Sequence, residues 1–221
     1  MKRFFALLLA LTMLLMLPAC GADTNIRGEQ KDNSTEAPDE EKTDFSMGKV
    51  SGLTYENEFI GIGCKLDSAW TFRTDEEIRE MNNLAGELAG EEYQAAIKNA
   101  TLVYDMNAVH INGMDNIIIN LEKVNPLQLA AADLEDVFEQ QLPLLKSSFE
   151  NMGYTNMTFK IDEVTIDGKT FVALFTSGSI GDYQMYQASI AIKCNSYLAS
   201  IAITTFSEEM MNTLLESFYL V

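Results

Sequence analysis

The sequence predicts an α+β domain in which a mainly antiparallel sheet carries helices packed on its faces, an αβα sandwich. Apolar residues recur with a period of two in neighbouring segments joined by short turns, and residues 101–111 and 116–124 form one such pair. Neighbouring segments of this kind pair as antiparallel hairpins. Segments with a helical period separate these pairs. The predicted order is strands, helix, strands, helix, four strands, helix.

The first predicted strands lie early in the domain. Apolar residues alternate along 60–66, with glycine at positions 61 and 63, and this period of two predicts a strand. Trp70 and Phe72 begin a further short strand. The hairpin of 101–111 and 116–124 then turns across the sequence NGMD.

A capped helix follows the first strands. Thr74 and Glu77 have the spacing of a capping box, in which the threonine side chain accepts a hydrogen bond from the glutamate backbone. The apolar residues that follow lie on one stripe, which predicts an amphipathic helix over 75–88. A second helical piece is expected over about 91–98.

Two later helices also begin at capping residues. Asp133 predicts the start of a long helix that ends near Gly153, and Pro143 inside it should kink the helix or break one hydrogen bond. Ser207 predicts the start of the last helix. The apolar stripe of that helix is Met211, Leu214, Leu215 and Phe218.

The clearest hairpin signal is the sequence KIDEVTIDGKTFVALF. Asp167 and Gly168 supply the two positive-φ positions of a type I′ turn between alternating strands. Two more strands are expected over about 183–194 and 197–206, with a turn at 195–196. Four consecutive strands are therefore predicted before the last helix.

The N-terminus carries the features of an export signal. Two cations precede an apolar run from Phe4 to Leu17, and its fourteen residues are too few to cross a bilayer, which needs about 20. The sequence Leu17-Pro18-Ala19-Cys20 resembles the lipobox of bacterial lipoproteins. That resemblance implies a diacylglycerol on the Cys20 sulfur, with palmitate-type acyl chains, and removal of residues 1–19. The alternative is an ordinary secretory signal with a cysteine near its end by chance.

The chain after the signal divides into a tether and a domain. Residues 21–48 hold eight acidic and three basic residues with few large apolar groups, which predicts a disordered acidic segment. We therefore expect the lipidated cysteine and tether at 20–48 and a single domain at 49–221. Acyl chains at Cys20 would hold the protein on the extracytoplasmic side of the cell membrane.

The charge of the chain limits its partners. From Cys20 onward the chain keeps 13 of the 15 basic residues and all 33 acidic residues, a net charge of −20. Nucleic-acid binding needs clustered lysine and arginine, so this class of partner is excluded. Direct docking on anionic lipid is disfavoured for the same reason, which leaves the lipid on Cys20 as the contact with the membrane.

No convincing active site emerges from the sequence. His110 is the only histidine, lies between apolar residues on a predicted strand and has no adjacent nucleophile pattern, so a structural or surface role is expected. A histidine-based zinc site lacks ligands, and the acidic clusters at 75–77 and 87–92 lack the spacing of calcium loops. The prediction is therefore no catalytic residue, no metal and no cofactor. Paired carboxylates stay open, because such partners meet only in the fold.

Two further cysteines, Cys64 and Cys194, lie on predicted strands. Each follows isoleucines at a spacing of two, so both side chains should point inward. This placement permits a disulfide in an exported protein and equally permits two buried thiols.

The domain resembles a known group of folds. YENEFIGIGCKLDSAW is similar to the opening of PsbP-like and Mog-like domains, although their usual proline before the tryptophan is missing here. SYLASIAITTFSEEMMNTLLESF is similar to their final strand and helix, which close on a pair such as Ser217-Phe218. The resemblance implies a non-enzymatic binding or accessory domain with a protein partner of unknown identity. The alternatives are a small envelope hydrolase that uses carboxylates and a solute-binding lipoprotein.

Overall fold

The computed structural model describes residues 45–82 and 100–221. Within these residues the chain forms strands and helices in the order that follows. The strands are β1 (Lys49–Ser51), β2 (Thr54–Asn57), β3 (Ile62–Lys65), β4 (Trp70–Phe72), β5 (Leu102–His110), β6 (Asn116–Lys123), β7 (Thr155–Ile166), β8 (Lys169–Ile180), β9 (Tyr183–Cys194), β10 (Tyr197–Thr205) and β11 (Phe218–Leu220). The helices are α1 (Asp75–Met81), α2 (Pro126–Ala131), α3 (Leu134–Asn151) and α4 (Glu208–Leu215).

The strands form two sheets. A seven-stranded sheet has the order β4-β5-β6-β10-β9-β8-β7, and a four-stranded sheet has the order β1-β2-β3-β11. Every described strand pair is antiparallel. The prediction of an α+β domain with a mainly antiparallel sheet is therefore confirmed.

The turn and cap residues lie where the sequence predicted them. Asp167 and Gly168 have φ angles of 47° and 81° between β7 and β8, as a type I′ turn requires. The Asp133 side chain accepts a hydrogen bond from the Glu135 backbone at the start of α3, and the Ser207 side chain accepts one from the Met210 backbone at the start of α4. Asp133 and Ser207 each satisfy a backbone N–H group that the start of a helix leaves without a partner.

The large sheet has two different faces, which β6 illustrates. Ile117, Ile119 and Leu121 define the apolar face, which packs in one hydrophobic cluster with the four-stranded sheet and α4. Asn120 and Glu122 point the other way and define the polar face. On that face a second cluster joins α2 and α3 to β8, β9 and β10; its buried members include Leu129, Phe138, Leu145, Phe149, Leu174, Met185 and Leu198.

The structure corrects the sequence-based elements in three places. The strand predicted over 60–66 begins only at Ile62, because the chain turns at Gly61, whose φ is 67°. The last helix ends at Leu215, and Phe218 lies instead on β11, paired with Cys64. A short helix, α2, was not predicted. Of the helix predicted over 75–88, α1 is described, while the remainder and the piece at 91–98 lie outside the described residues.

The packed domain already includes residues before the predicted boundary at Lys49. The Phe45 ring stacks on Tyr197 with 4.8 Å between ring centroids and meets Phe59 edge-on at 5.4 Å. The predicted signal and the lipidation site at Cys20 lie outside the described residues. Across the parts that the structure describes, none of the helices combines the length and apolar character needed to span a membrane.

Candidate binding groove

Cross-strand register gathers polar side chains on the polar face. Asn120 on β6 pairs with Tyr104 on β5 and with Ser200 on β10. Four residues further along the strands, Thr204 pairs with Asn116 on one side and with Gln187 on the other. Side chains opposite each other in this way lie about 5 Å apart and form a continuous surface. The buried polar residues on this face are Asn107, Asn116, Asn120, Glu122, Thr176, Gln187 and Ser200.

Small side chains lie between these polar groups on the same face of the sheet. Ser189 and Ala202 pair across β9 and β10 and are half-buried, although both lie in the middle of the sheet. Helix α3 packs on β7 and β8, and α1 packs against β5, on either side of these strands. We call the strip of Asn120, Glu122, Ser189, Ser200 and Ala202 the polar groove. At its end, Leu198 belongs to the same hydrophobic cluster as Leu129 of α2.

Glu122 is the charged group of the polar groove. Only 8% of the residue is exposed, and burial alone raises the pKa of its carboxyl to about 7. Its cross-strand neighbours are the apolar side chains of Leu102 and Leu198. Lys193 occupies the next position in the same row, but its ammonium donates to the Ala132 carbonyl at the end of α2. The carboxyl is therefore close to half protonated at neutral pH.

Thr176 adds an unsatisfied group at the far end of the same face. Its hydroxyl oxygen is the one buried side-chain polar atom without a hydrogen-bond partner among the described residues. Its neighbour across the strand is Gln187, whose amide donates instead to Thr204 at 3.1 Å. A buried hydroxyl without a partner costs about 1–3 kcal/mol, so this position is not optimised for packing.

The apolar face buries a different carboxyl. Asp105 lies at a β-bulge between Tyr104 and Met106, where β5 has one more residue than β6. Its carboxyl accepts hydrogen bonds from the Tyr55 hydroxyl, from the Asn57 amide at 2.8 Å and from the Gly48 backbone at 2.8 Å. Burial raises its pKa, while these hydrogen bonds oppose the rise. This carboxyl joins the large sheet to β2 and to the start of the domain.

His110 has the contacts of a structural residue at a hairpin tip. Its ring lies 5.2 Å from the ring of Trp70, and its Nδ1 accepts a hydrogen bond from the Asn112 backbone at 3.3 Å. The nearby Asp115 carboxyl, 3.9 Å away, accepts hydrogen bonds from the Asn112 amide and the Phe206 backbone. This arrangement orders the turn, and the contacts of the imidazole with the described residues include no serine or cysteine.

Cys64 and Cys194 are free cysteines in the structure rather than a disulfide. Burial raises the pKa of Cys64 to about 12 and that of Cys194 to about 11. The Cys194 thiol donates to the Phe59 carbonyl at 2.7 Å. Since the thiolate is the reactive form, both sulfurs are held in the unreactive state.

The first acidic cluster serves the helix start. The Glu77 carboxylate accepts from the Thr74 backbone at 2.8 Å and from Arg73 at 2.7 Å, and the Thr74 bond is the main reason that its pKa is lowered. The other predicted cluster, at 87–92, lies outside the described residues. No group of three or more histidine, cysteine or acidic side chains that could hold a metal occurs within 45–82 and 100–221.

Known proteins resemble this chain in structure rather than in sequence. No family model matches the chain, and no curated protein matches it. The solution structure of cyanobacterial PsbP (CyanoP) from Synechocystis sp. PCC 6803 is similar in outline. It has a TM-score of 0.46 and 12% sequence identity, and the alignment covers 80% of this chain and 98% of that chain.

Proposed function

We propose that this chain is a lipid-anchored, extracytoplasmic binding or accessory protein with a PsbP-like αβα sandwich domain. The anchor is inferred from the lipobox-like sequence ending at Cys20, and the acidic tether would carry the domain away from the membrane. The domain would bind its ligand in the polar groove. Catalysis is not part of the proposal.

The observation that carries the binding role is the row of buried polar side chains on one face of the sheet. Asn120 and Ser200 face each other there at 2% and 5% exposure, with half-buried Ala202 beside them. A sheet face that served only for packing would be stabilised by apolar side chains at these positions, because a buried polar group costs free energy unless it is paired. A ligand with several polar atoms supplies such pairs.

Binding is favoured over the rival reading as a carboxylate hydrolase. Hydrolysis by paired acids needs two carboxyls that converge on one bond, within about 10 Å. The two described carboxyls whose pKa burial raises are Glu122 and Asp105. Glu122 lies on the polar face, whereas Asp105 points to the cluster on the apolar face, so the sheet separates them.

A protein partner at the sheet edge is the second candidate. Strand β7 is twelve residues long and pairs with β8 on one side only. An extended segment of another protein can add to such an edge through backbone hydrogen bonds. The Lys160–Asp162 ion pair on β7 places charges that disfavour pairing with other copies of the chain.

The groove is tested by screening polar fragments against the full mature chain with amide NMR spectra. We expect the hits to perturb residues 116–122 and 198–204 together. Ala202→Trp should abolish these hits by filling the groove, whereas Thr165→Trp, a matched change at an exposed position of β7, should leave them unchanged. Hits that map elsewhere, or that survive Ala202→Trp, would refute the groove as the binding site.

The anchor is tested by Cys20→Ala. We expect the variant to leave the membrane fraction or to keep residues 1–19, because neither lipid transfer nor cleavage before the cysteine can occur. Membrane fractionation and intact mass measure both effects. A variant that stays on membranes and is cut at the same site would show that Cys20 is not the anchor.

A further inference from the structure

The surroundings of Glu122 indicate what kind of ligand the polar groove accepts. Across the sheet its neighbours are Leu102 and Leu198, and along β6 the next residue on the same face is Asn120. Ser200 lies opposite Asn120. These four neighbours carry no charge, and the lysine in the same row, Lys193, is engaged with the end of α2.

A buried carboxylate with neutral neighbours is unfavourable until a cation reaches it. Its ionised form loses its hydration and gains no countercharge from the described residues, since burial is the single cause of its raised pKa. A ligand cation would supply the missing charge and would be drawn toward a chain whose net charge from Cys20 onward is −20.

The acceptors around Glu122 match a primary ammonium group. An ammonium has three N–H donors and no acceptor. The Glu122 carboxylate can accept one, and the Asn120 amide oxygen and the Ser200 hydroxyl oxygen lie on the adjoining positions of the same face. The apolar side chains of Leu102 and Leu198 flank the carboxyl, where a short methylene chain would pack.

We propose that the polar groove binds a small aliphatic primary amine, with Glu122 as its counter-ion and Asn120 and Ser200 as further hydrogen-bond acceptors. This proposal rests on the proposed binding function of the groove and specifies its ligand class. Glu122 is a binding residue in this scheme, and no covalent step is involved.

The experiment compares two probes of equal length that differ in charge. Putrescine and 1,4-butanediol are titrated into the full mature chain at pH 8, and amide NMR spectra report which residues respond. We expect putrescine to perturb residues 116–122 and 198–204 and to bind at least tenfold more tightly than the diol. Lowering the pH from 8 to 6 should weaken putrescine binding about tenfold, because protonation removes the charge of Glu122.

Two variants separate the amine proposal from the groove itself. Glu122→Gln should remove the preference for putrescine, whereas Glu163→Gln, which removes an exposed carboxylate from β7, should keep it. Equal binding of both probes in the groove would overturn the amine proposal and leave the groove as a site for neutral polar ligands. If neither probe perturbs the groove and polar fragments also fail there, the proposed function fails together with it. Putrescine binding that persists unchanged in Glu122→Gln would show surface attraction and would overturn the proposal.

Discussion

The two faces of the large sheet each bury a carboxyl group, and the two groups differ in their partners. Asp105 on the apolar face accepts hydrogen bonds from Tyr55, Asn57 and the Gly48 backbone. Glu122 on the polar face has apolar neighbours across the sheet, and burial alone sets its pKa. Asp105 therefore holds the fold together, whereas no described residue donates a hydrogen bond to Glu122. A buried carboxyl group is a candidate for ligand binding where no described residue donates a hydrogen bond to it. A buried carboxyl group that already accepts several hydrogen bonds is not.

The largest expected difference between the faces is in stability. Asp105→Ala removes the acceptor of three donors, all of which belong to the segment 48–57 that packs over the sheet. We expect the free energy of unfolding to fall by about 3–5 kcal/mol, the usual cost of leaving such buried partners unpaired. Urea denaturation measures it.

The matched control is the same truncation on the polar face. Glu122→Ala at pH 8 removes a carboxylate that no described partner stabilises. The relief of this buried charge should offset the lost packing of the side chain, so any loss of stability should be smaller than about 1 kcal/mol. Equal losses for the two variants would contradict the distinction between the faces.

A second test uses the pH dependence of stability. The pKa of Glu122 is raised to about 7 in the folded chain from its ordinary 4.5, so the folded state binds this proton more tightly than the unfolded state. This contribution to stability is complete below pH 4.5 and is lost as the pH rises through 7. Glu122→Gln should therefore match the natural chain at pH 4 and exceed its stability by about 2–3 kcal/mol at pH 8.

The measurement is a series of urea denaturations from pH 4 to pH 8. Glu163→Gln, which removes an exposed carboxylate from β7, is measured beside it as the matched control. A constant difference for Glu122→Gln would mean that the Glu122 pKa is the same in the folded and unfolded chains.

A third test removes one donor from the partnered acid. Tyr55→Phe deletes the hydroxyl that donates to Asp105 and keeps the buried ring. We expect a loss of about 1–2 kcal/mol, because hydrogen bonds to charged groups contribute more than neutral ones. Tyr219→Phe is the control, since its hydroxyl bonds the Glu56 carboxylate at the surface and should contribute less than about 1 kcal/mol. A loss at Tyr55 no larger than that at Tyr219 would contradict the role of Asp105 as a clamp.

Most of the fold could be predicted from the sequence because its signals are local. The Asp167-Gly168 turn, the Asp133 cap and the Ser207 cap depend on residues within a few positions of each other. The sequence predicts Phe218 on the last helix, but the residue lies on β11. That strand forms by pairing with β3, which is distant in the sequence, so local patterns do not predict it. Local periodicity extends the helix stripe to Phe218, but pairing with Cys64 gives that residue its buried position.

The candidate site could not be found in the sequence for a related reason. Alternation along β6 already separates Asn120 and Glu122 from the isoleucines on the other face, but one strand alone does not identify a site. The polar groove arises only when β10 brings Ser200 beside Asn120, and their separation in the chain hides this pairing. The sequence indicates the position of Asp105 even less clearly. A β-bulge reverses the alternation of the two faces along β5, and no sequence pattern predicts that bulge.

The smallest expected effect compares one threonine on each face. The Thr176 hydroxyl on the polar face is buried without a partner among the described residues, whereas the Thr205 hydroxyl, buried with the apolar face, donates to the Ser207 carbonyl at 2.9 Å. Valine has nearly the same shape as threonine and suits a strand equally well. Thr176→Val should therefore raise the free energy of unfolding by about 0.5–1 kcal/mol, and Thr205→Val should lower it by about 1 kcal/mol. Thermal and urea denaturation of both variants measure the two signs. A loss of stability in Thr176→Val would mean that its hydroxyl has a partner, and the polar face would then be as well satisfied as the apolar one.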